Sequence, residues 1–156
     1  MVSSMTIKDV INPSCINLHM KGKDKKSIIE EMADMFHKAG VLNDRNGFIN
    51  AVYEREKEGP TGIGDQVAIP HGKTSAVRKT SMAVGRVDHG VPWESLGDGD
   101  TRAFVMFAVN DNDTSELVSL LSQVAVALCD KSVIETLLTT ENTAEIYSLF
   151  NRKEEL

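Results

Sequence analysis

The sequence predicts an α/β (α+β) sandwich, helices layered around one sheet, and three observations point there. Apolar residues first recur at helical spacing in two successive stretches. Short β-prone segments then crowd the middle of the chain, and one of them, Ala103 to Val109, is apolar nearly throughout, as a strand buried on both faces must be. From Thr114 onward the helical period returns.

Taken in order, Cys15 to Met20 alternates apolar and polar side chains and reads as a first strand. Asp24 is the expected N-cap of a helix in which Ile28, Ile29, Met32, Met35, Phe36 and Ala39 share a face, and Gly40 supplies the stop. Asn43 is expected to open a second helix, with Phe48, Ala51, Val52 and Arg55 on or near one side. That helix ends in the charged run Glu54 to Glu58, before Gly59-Pro60. Strands are expected at Gln66 to Ile69, Ser81 to Val87 and Ala103 to Val109, with turn residues Ser95 to Thr101 between the last two. Leu117, Leu120, Leu121, Val124 and Leu128 stripe a helix capped by Thr114 or Ser115. Asp130 and Asn142 cap two shorter helices, the second with Glu145 completing a capping box. No repeat or low-complexity linker interrupts the 156 residues, so a single domain over 1–156 is expected.

Composition narrows the function classes. With 17 basic against 23 acidic residues the net charge is −6, and the one basic cluster, Lys21 to Lys26, is interrupted by Asp24. A nucleic-acid partner, which needs a basic face, is therefore not expected. An acidic surface suited to a basic protein stays open. The longest apolar run has seven residues, well short of the ~18 that span a bilayer. The N-terminus lacks the basic start and apolar block of a secretory signal. Cys15 and Cys129 have no metal-ligand spacing and are expected to be small reduced hydrophobes in a cytoplasmic protein.

The stretch that invites chemistry is GPTGIGDQVAIPHGKT, residues 59–74. Gly72-Lys73-Thr74 matches the end of a phosphate-binding nucleotide loop, but Val67 stands where that loop needs its first glycine, and Pro70 removes an amide. Val67 also occupies the third glycine of a dinucleotide fingerprint. Two readings remain open on the residues alone. In one, Pro70 ends a short strand at a defined place, and Gly72 turns the chain away so that His71 is displayed as a nucleophile or base. In the other, the segment is only a tight turn. A metal site is not expected, because no second ligand lies two to four residues from His71. A hydrolase is the weakest alternative, since no Gly-x-Ser-x-Gly elbow is present.

The order Arg55, Gly59-Pro60-Thr61-Gly62-Ile63-Gly64, Ala68-Ile69-Pro70-His71-Gly72 resembles the active-site signature of the fructose/mannitol-type enzyme IIA domains. These belong to the bacterial phosphoenolpyruvate-dependent sugar phosphotransferase system, and the family includes nitrogen-regulatory paralogues. The likeness continues at Ile7-Lys8-Asp9-Val10-Ile11, Asp24-Lys25-Lys26, Gly90-Val91-Pro92-Trp93 and Leu117 to Leu121, and covers about residues 5–150. It implies one mixed β-sheet of about five strands flanked by helices on both faces.

It also implies a phosphoryl carrier without cofactor or metal. His71 would take the group from the histidine-containing phosphocarrier protein and give it to a cysteine of a sugar-specific enzyme IIB, with no nucleic-acid partner and no membrane insertion. Arg55 matches the family's arginine, Thr61 a hydroxyl donor, and the amides near Gly62 and Gly64 further donors to phosphoryl oxygens. On the residues alone, Arg55 in its run of alternating charges also reads as a solvated helix face paired with Glu54 or Glu58, and Thr61 after Pro60 as turn chemistry. Lys73 falls outside the match and reads as surface charge. His19, His37 and His89 read as structural or exposed, His37 at a helix end and His89 in a turn. Where many members carry a second histidine before the leucine-rich helix, the matching position here is Glu116, a carboxylate that would repel a phosphohistidine unless protonated, turned away or paired with a cation, and that otherwise reads as an acid in the first turn of a helix. That departure motivates the alternative of a regulatory phosphoprotein of the same fold. A chain ending at Leu156 without a linker points to a free-standing component.

Overall fold

The computed structural model describes residues 5–97 and 99–150. A short helix α1 (Ile7–Val10) leads into β1 (Ile11–Met20), then α2 (Lys25–Lys38) and α3 (Arg45–Glu58). Three short strands follow, β2 (Gly62–Gly64), β3 (Val67–Ala68) and β4 (His71–Thr74). Two long ones, β5 (Ser81–Val91) and β6 (Thr101–Asn110), precede α4 (Thr114–Ala127), α5 (Lys131–Thr139) and α6 (Thr143–Leu149).

The sheet is mixed and six-stranded, in the order β1-β5-β6-β3-β2, with β4 also on β6. Strands β1–β5, β3–β6 and β4–β6 are parallel, while β5–β6 and β2–β3 are antiparallel. As its unbroken apolar run predicts, β6 is central, and every residue from Ala103 to Val109 is fully buried. Its pleat sorts the core into two layers. Ala103, Val105, Phe107 and Val109 pack with α1, α4, α5 and α6 on one face. Phe104, Met106 and Ala108 pack with α2 and α3 on the other.

Local signals set most boundaries. Asp24 caps α2 by accepting from Ser27 N at 2.8 Å. Gly40 ends that helix at φ +77°, where a side chain would be strained. Asp130 and Asn142 cap α5 and α6 as expected.

Elsewhere the structure corrects the reading. The cap of α3 is Asp44, which accepts from Gly47 N at 3.0 Å, whereas Asn43 ties Ser75 and Arg78 to this corner. At α4, Asp113 occupies the cap position after a single 3-10 turn, without a side-chain cap. Glu145 closes no capping box, because it takes the Thr140 hydroxyl instead. Strand β1 starts at Ile11 rather than Cys15, since an edge strand tolerates Pro13 with a register shift. His89 lies in β5, not in a turn. Cys15 is buried, and burial pushes its thiol up to about 11, whereas Cys129 is exposed. Of the expected turn Ser95 to Thr101, Asp98 lies outside the described residues.

Candidate active site

The expected strand at Gln66 to Ile69 does not end at Pro70. It pauses there and resumes as β4. Val67 pairs with Ala103 and His71 with Phe107, the same register on both sides of the proline, and Pro70 O accepts from Phe107 N at 3.1 Å. The proline costs one amide and no alignment. Gly72 is therefore not a turn but the middle of a strand. A Cβ there would stand 3.1 Å from both Phe48 Cε1 and Val52 Cγ2, so its absence lets α3 lie directly on β4.

That contact builds a cleft of about 620 Å³. Helix α3 contributes Gly47, Asn50, Ala51, Glu54, Arg55 and Glu58, a stripe at helical spacing, and β4 contributes His71, Lys73 and Thr74. Leu117 of α4 closes the far side. A second hollow of about 590 Å³ lies between α1 and α4, but among the described residues no ionisable side chain borders it.

His71 is held at one nitrogen. Its Nδ1 lies 3.3 Å from Ile69 O, and because a carbonyl only accepts, Nδ1 carries the proton. Nε2 then keeps the lone pair. Burial, with the residue only 7% exposed, holds the imidazole below its ordinary pKa, and the Arg55 charge adds to this. The Ile69 bond and the carboxylates of Glu56 and Glu58 oppose the shift without reversing it. A neutral imidazole with a defined tautomer and a free Nε2 is a nucleophile. Arg55 is fixed from its own helix end, donating from Nη1 to Gly59 O at 3.1 Å, which leaves other guanidinium protons for an anion.

The remaining residues expected at the site face elsewhere. Thr61 is buried and its one hydroxyl proton goes to Glu56 Oε2 at 2.6 Å, while its oxygen accepts from Trp93 Nε1 at 2.8 Å. Gly62 N donates to Glu94 O and Gly64 N to Ser95 Oγ. A Cβ on Gly62 would come within 2.6 Å of Ser95 Cβ, so the glycine turn is pressed against the loop after Trp93. Glu116 does not border the cleft. Its Oε1 accepts from Met5 N at 2.6 Å, and Leu117, one residue on, takes the place beside His71.

Thr61 instead belongs to a closed polar unit. Glu56, its side chain 4% exposed, faces Lys25 Nζ at 2.6 Å; Lys25 also reaches Glu94 at 2.6 Å and lies 5.0 Å over the Trp93 ring. This unit connects to the histidine through the backbone. Ile69 N donates to Thr61 O at 2.9 Å, and Ile69 O holds His71 Nδ1. Sequence reasoning missed Glu56, Lys25 and Trp93 in this role, since no local pattern sets them apart. Lys73 is exposed, in keeping with its reading as surface charge, and it borders the cleft. On a strand, a residue two positions from His71 shares its face.

Comparison with known proteins places this geometry. The family model of the phosphoenolpyruvate-dependent sugar phosphotransferase system, EIIA 2, matches residues 9–153. The fructose-specific EIIABC component of Bacillus subtilis is 32% identical over 148 residues, covering 95% of this chain but only 23% of that relative's length. The fructose-specific EIIA component of Haloferax volcanii is 32% identical over 127 residues, 81% of this chain and 82% of that one. Among solved structures, the nitrogen regulatory protein IIA-Ntr from Neisseria meningitidis superposes with a TM-score of 0.83 at 29% identity, covering 92% of this chain and 98% of its own. The mannitol IIA of Escherichia coli gives 0.73 at 27% identity, covering 89% and 97%. The family match spans nearly all of the described residues, and the chain belongs to the EIIA 2 family of the phosphoenolpyruvate-dependent sugar phosphotransferase system.

Proposed function

We propose that the chain is a cytoplasmic, single-domain phosphoryl carrier whose acceptor atom is Nε2 of His71. The group arrives from the histidine-containing phosphocarrier protein and leaves to a cysteine of an enzyme IIB. The observation that carries this reading is the Nδ1 bond to Ile69 O, which leaves a buried, neutral imidazole with a single nucleophilic nitrogen at the edge of an open cleft. The Nε2 lone pair forms the P–N bond as the donor's P–N bond breaks, and the donor imidazole recovers its electron pair. On the way out, a thiolate forms P–S as the bond to Nε2 breaks. The Nδ1 proton stays on the Ile69 carbonyl bond throughout. Arg55 supplies the cation for the spread charge of the moving group. Thr61, Gly62 and Gly64 contribute by shaping the turn rather than by donating to phosphoryl oxygens.

The regulatory alternative rests on the relatives named nitrogen regulatory protein, the Neisseria structure among them, and no longer on Glu116. Both readings use the same phosphorylated histidine. Incubating the chain with phosphoenolpyruvate, enzyme I and the phosphocarrier protein is expected to give an acid-labile phosphorylated form, and His71→Ala is expected to give none. Equal labelling of that variant would refute the assignment. Onward transfer to an enzyme IIB separates carrier from regulator.

A further inference from the structure

Lys73 is a cation at the His71 cleft that the proposed function leaves without a role. It stands on β4 two residues from His71 and so on the same face of the strand, and its side chain borders the same cleft as Arg55. Other basic side chains nearby are taken: Lys25 by Glu56 and Glu94, Lys57 by Glu54 at 3.1 Å, Arg45 by Asp34. Among the described residues Lys73 makes no ion pair and no side-chain hydrogen bond, although Glu54 and Glu58 border the same cleft.

The charges at the cleft explain why a free ammonium is needed there. Glu54 is held by Lys57, so at the cleft Arg55 offsets Glu58, Lys73 leaves one positive charge over, and neutral His71 adds nothing. A phosphoryl group brings close to two negative charges. With Arg55 alone it would meet one unpaired carboxylate, Glu58, and one cation, part of whose donor set is spent on Gly59 O. We infer that Lys73 is a second phosphoryl-binding cation of this site, its ammonium closing from the strand side on the oxygens of the group carried by His71, while Arg55 holds them from the helix side. The flexible four-carbon stem lets a lysine follow a group that must move between two proteins, where a guanidinium fork would fix it. The inference rests on His71 being the carrier.

The test uses the full chain, loaded from phosphoenolpyruvate through enzyme I and the phosphocarrier protein. Lys73→Gln is compared with wild type, with His71→Ala, and with Lys26→Gln on the exposed face of α2. Lys73→Gln is expected to load fully but with kcat for uptake lowered about 10-fold and KM for the phosphocarrier nearly unchanged. The phosphorus resonance of its loaded form should titrate at higher pH, because the cation favouring the dianion is gone. Lys26→Gln should match wild type. Unchanged kcat, a loss confined to KM, a loss shared by Lys26→Gln, or an unmoved phosphorus titration would each overturn the role of Lys73. Labelling of His71→Ala would instead overturn the carrier histidine itself, an outcome that Lys73→Gln cannot produce.

Discussion

The sixteen residues from Gly59 to Thr74 run along two regions built on opposite principles. Around Thr61 the polar groups are closed on one another: hydroxyl to Glu56, indole to hydroxyl, Lys25 to Glu56 and Glu94, amides of Gly62 and Gly64 to the next loop. Around His71 they are left open: among the described residues Nε2 is unbonded, Lys73 is unpaired and the guanidinium is only partly used. The closed region cannot bind an anion without breaking something. The open one gains partners when an anion arrives. A motif read as one active-site signature thus divides into a frame and a reactive edge, joined by the carbonyls of Thr61 and Ile69.

The sharpest way to break the comparison is to remove the reactive group alone. His71→Ala is expected to cost more than 10³-fold in phosphoryl uptake while changing stability by less than about 1 kcal/mol, measured by labelling and urea unfolding. The frame should respond in the opposite sense. Glu56→Ala strips a nearly buried carboxylate from Lys25 and Thr61 and should cost about 2–3 kcal/mol, less than a fully buried pair because Lys25 keeps Glu94. Gly62→Ala, forced against Ser95 and the Glu94 carbonyl, should cost about 1–3 kcal/mol.

Thr61→Val discriminates most finely. It should destabilise by about 1–3 kcal/mol by stranding the Trp93 indole and Glu56, and leave transfer by the folded fraction close to wild type. A loss of about 10²-fold in transfer with intact stability would instead make the hydroxyl a phosphoryl ligand and erase the distinction.

The smallest effect is on pH. Because burial lowers the His71 pKa in the folded chain, the unfolded chain binds this proton first as pH falls. The histidine's contribution is complete above its ordinary value of about 6.5 and is lost as pH drops from there through the lowered folded value. Unfolding curves of wild type and His71→Ala should therefore diverge in that acidic window and run parallel above it.

What could be read in advance follows from how local each cause is. Asp24 and Asn142 were legible as caps because the amides they bind lie within three residues. The two-sided burial of β6 was legible in its apolar run, and family resemblance singled out His71 and Arg55, which border one cleft. The fate of the Thr61 hydroxyl was not, since it depends on Trp93, 32 residues away, and on a carboxylate hidden in a charged run that reads as solvated. Glu116 and Leu117 differ by one position, and only the helix's orientation on the sheet decides which meets the cleft. Lys73 shows the converse case. Its place followed from strand alternation once His71 was known to begin a strand, but Pro70 argued that the strand had ended.

The central claim concerns one atom. Phosphorylating the chain with its histidines labelled by nitrogen-15, and correlating ring nitrogens with ring protons and phosphorus by NMR, measures it directly. The account predicts phosphorus on Nε2 of His71, with Nδ1 protonated as its bond to Ile69 O requires. Phosphorus on Nδ1 of His71, or on His19, His37 or His89, would contradict it.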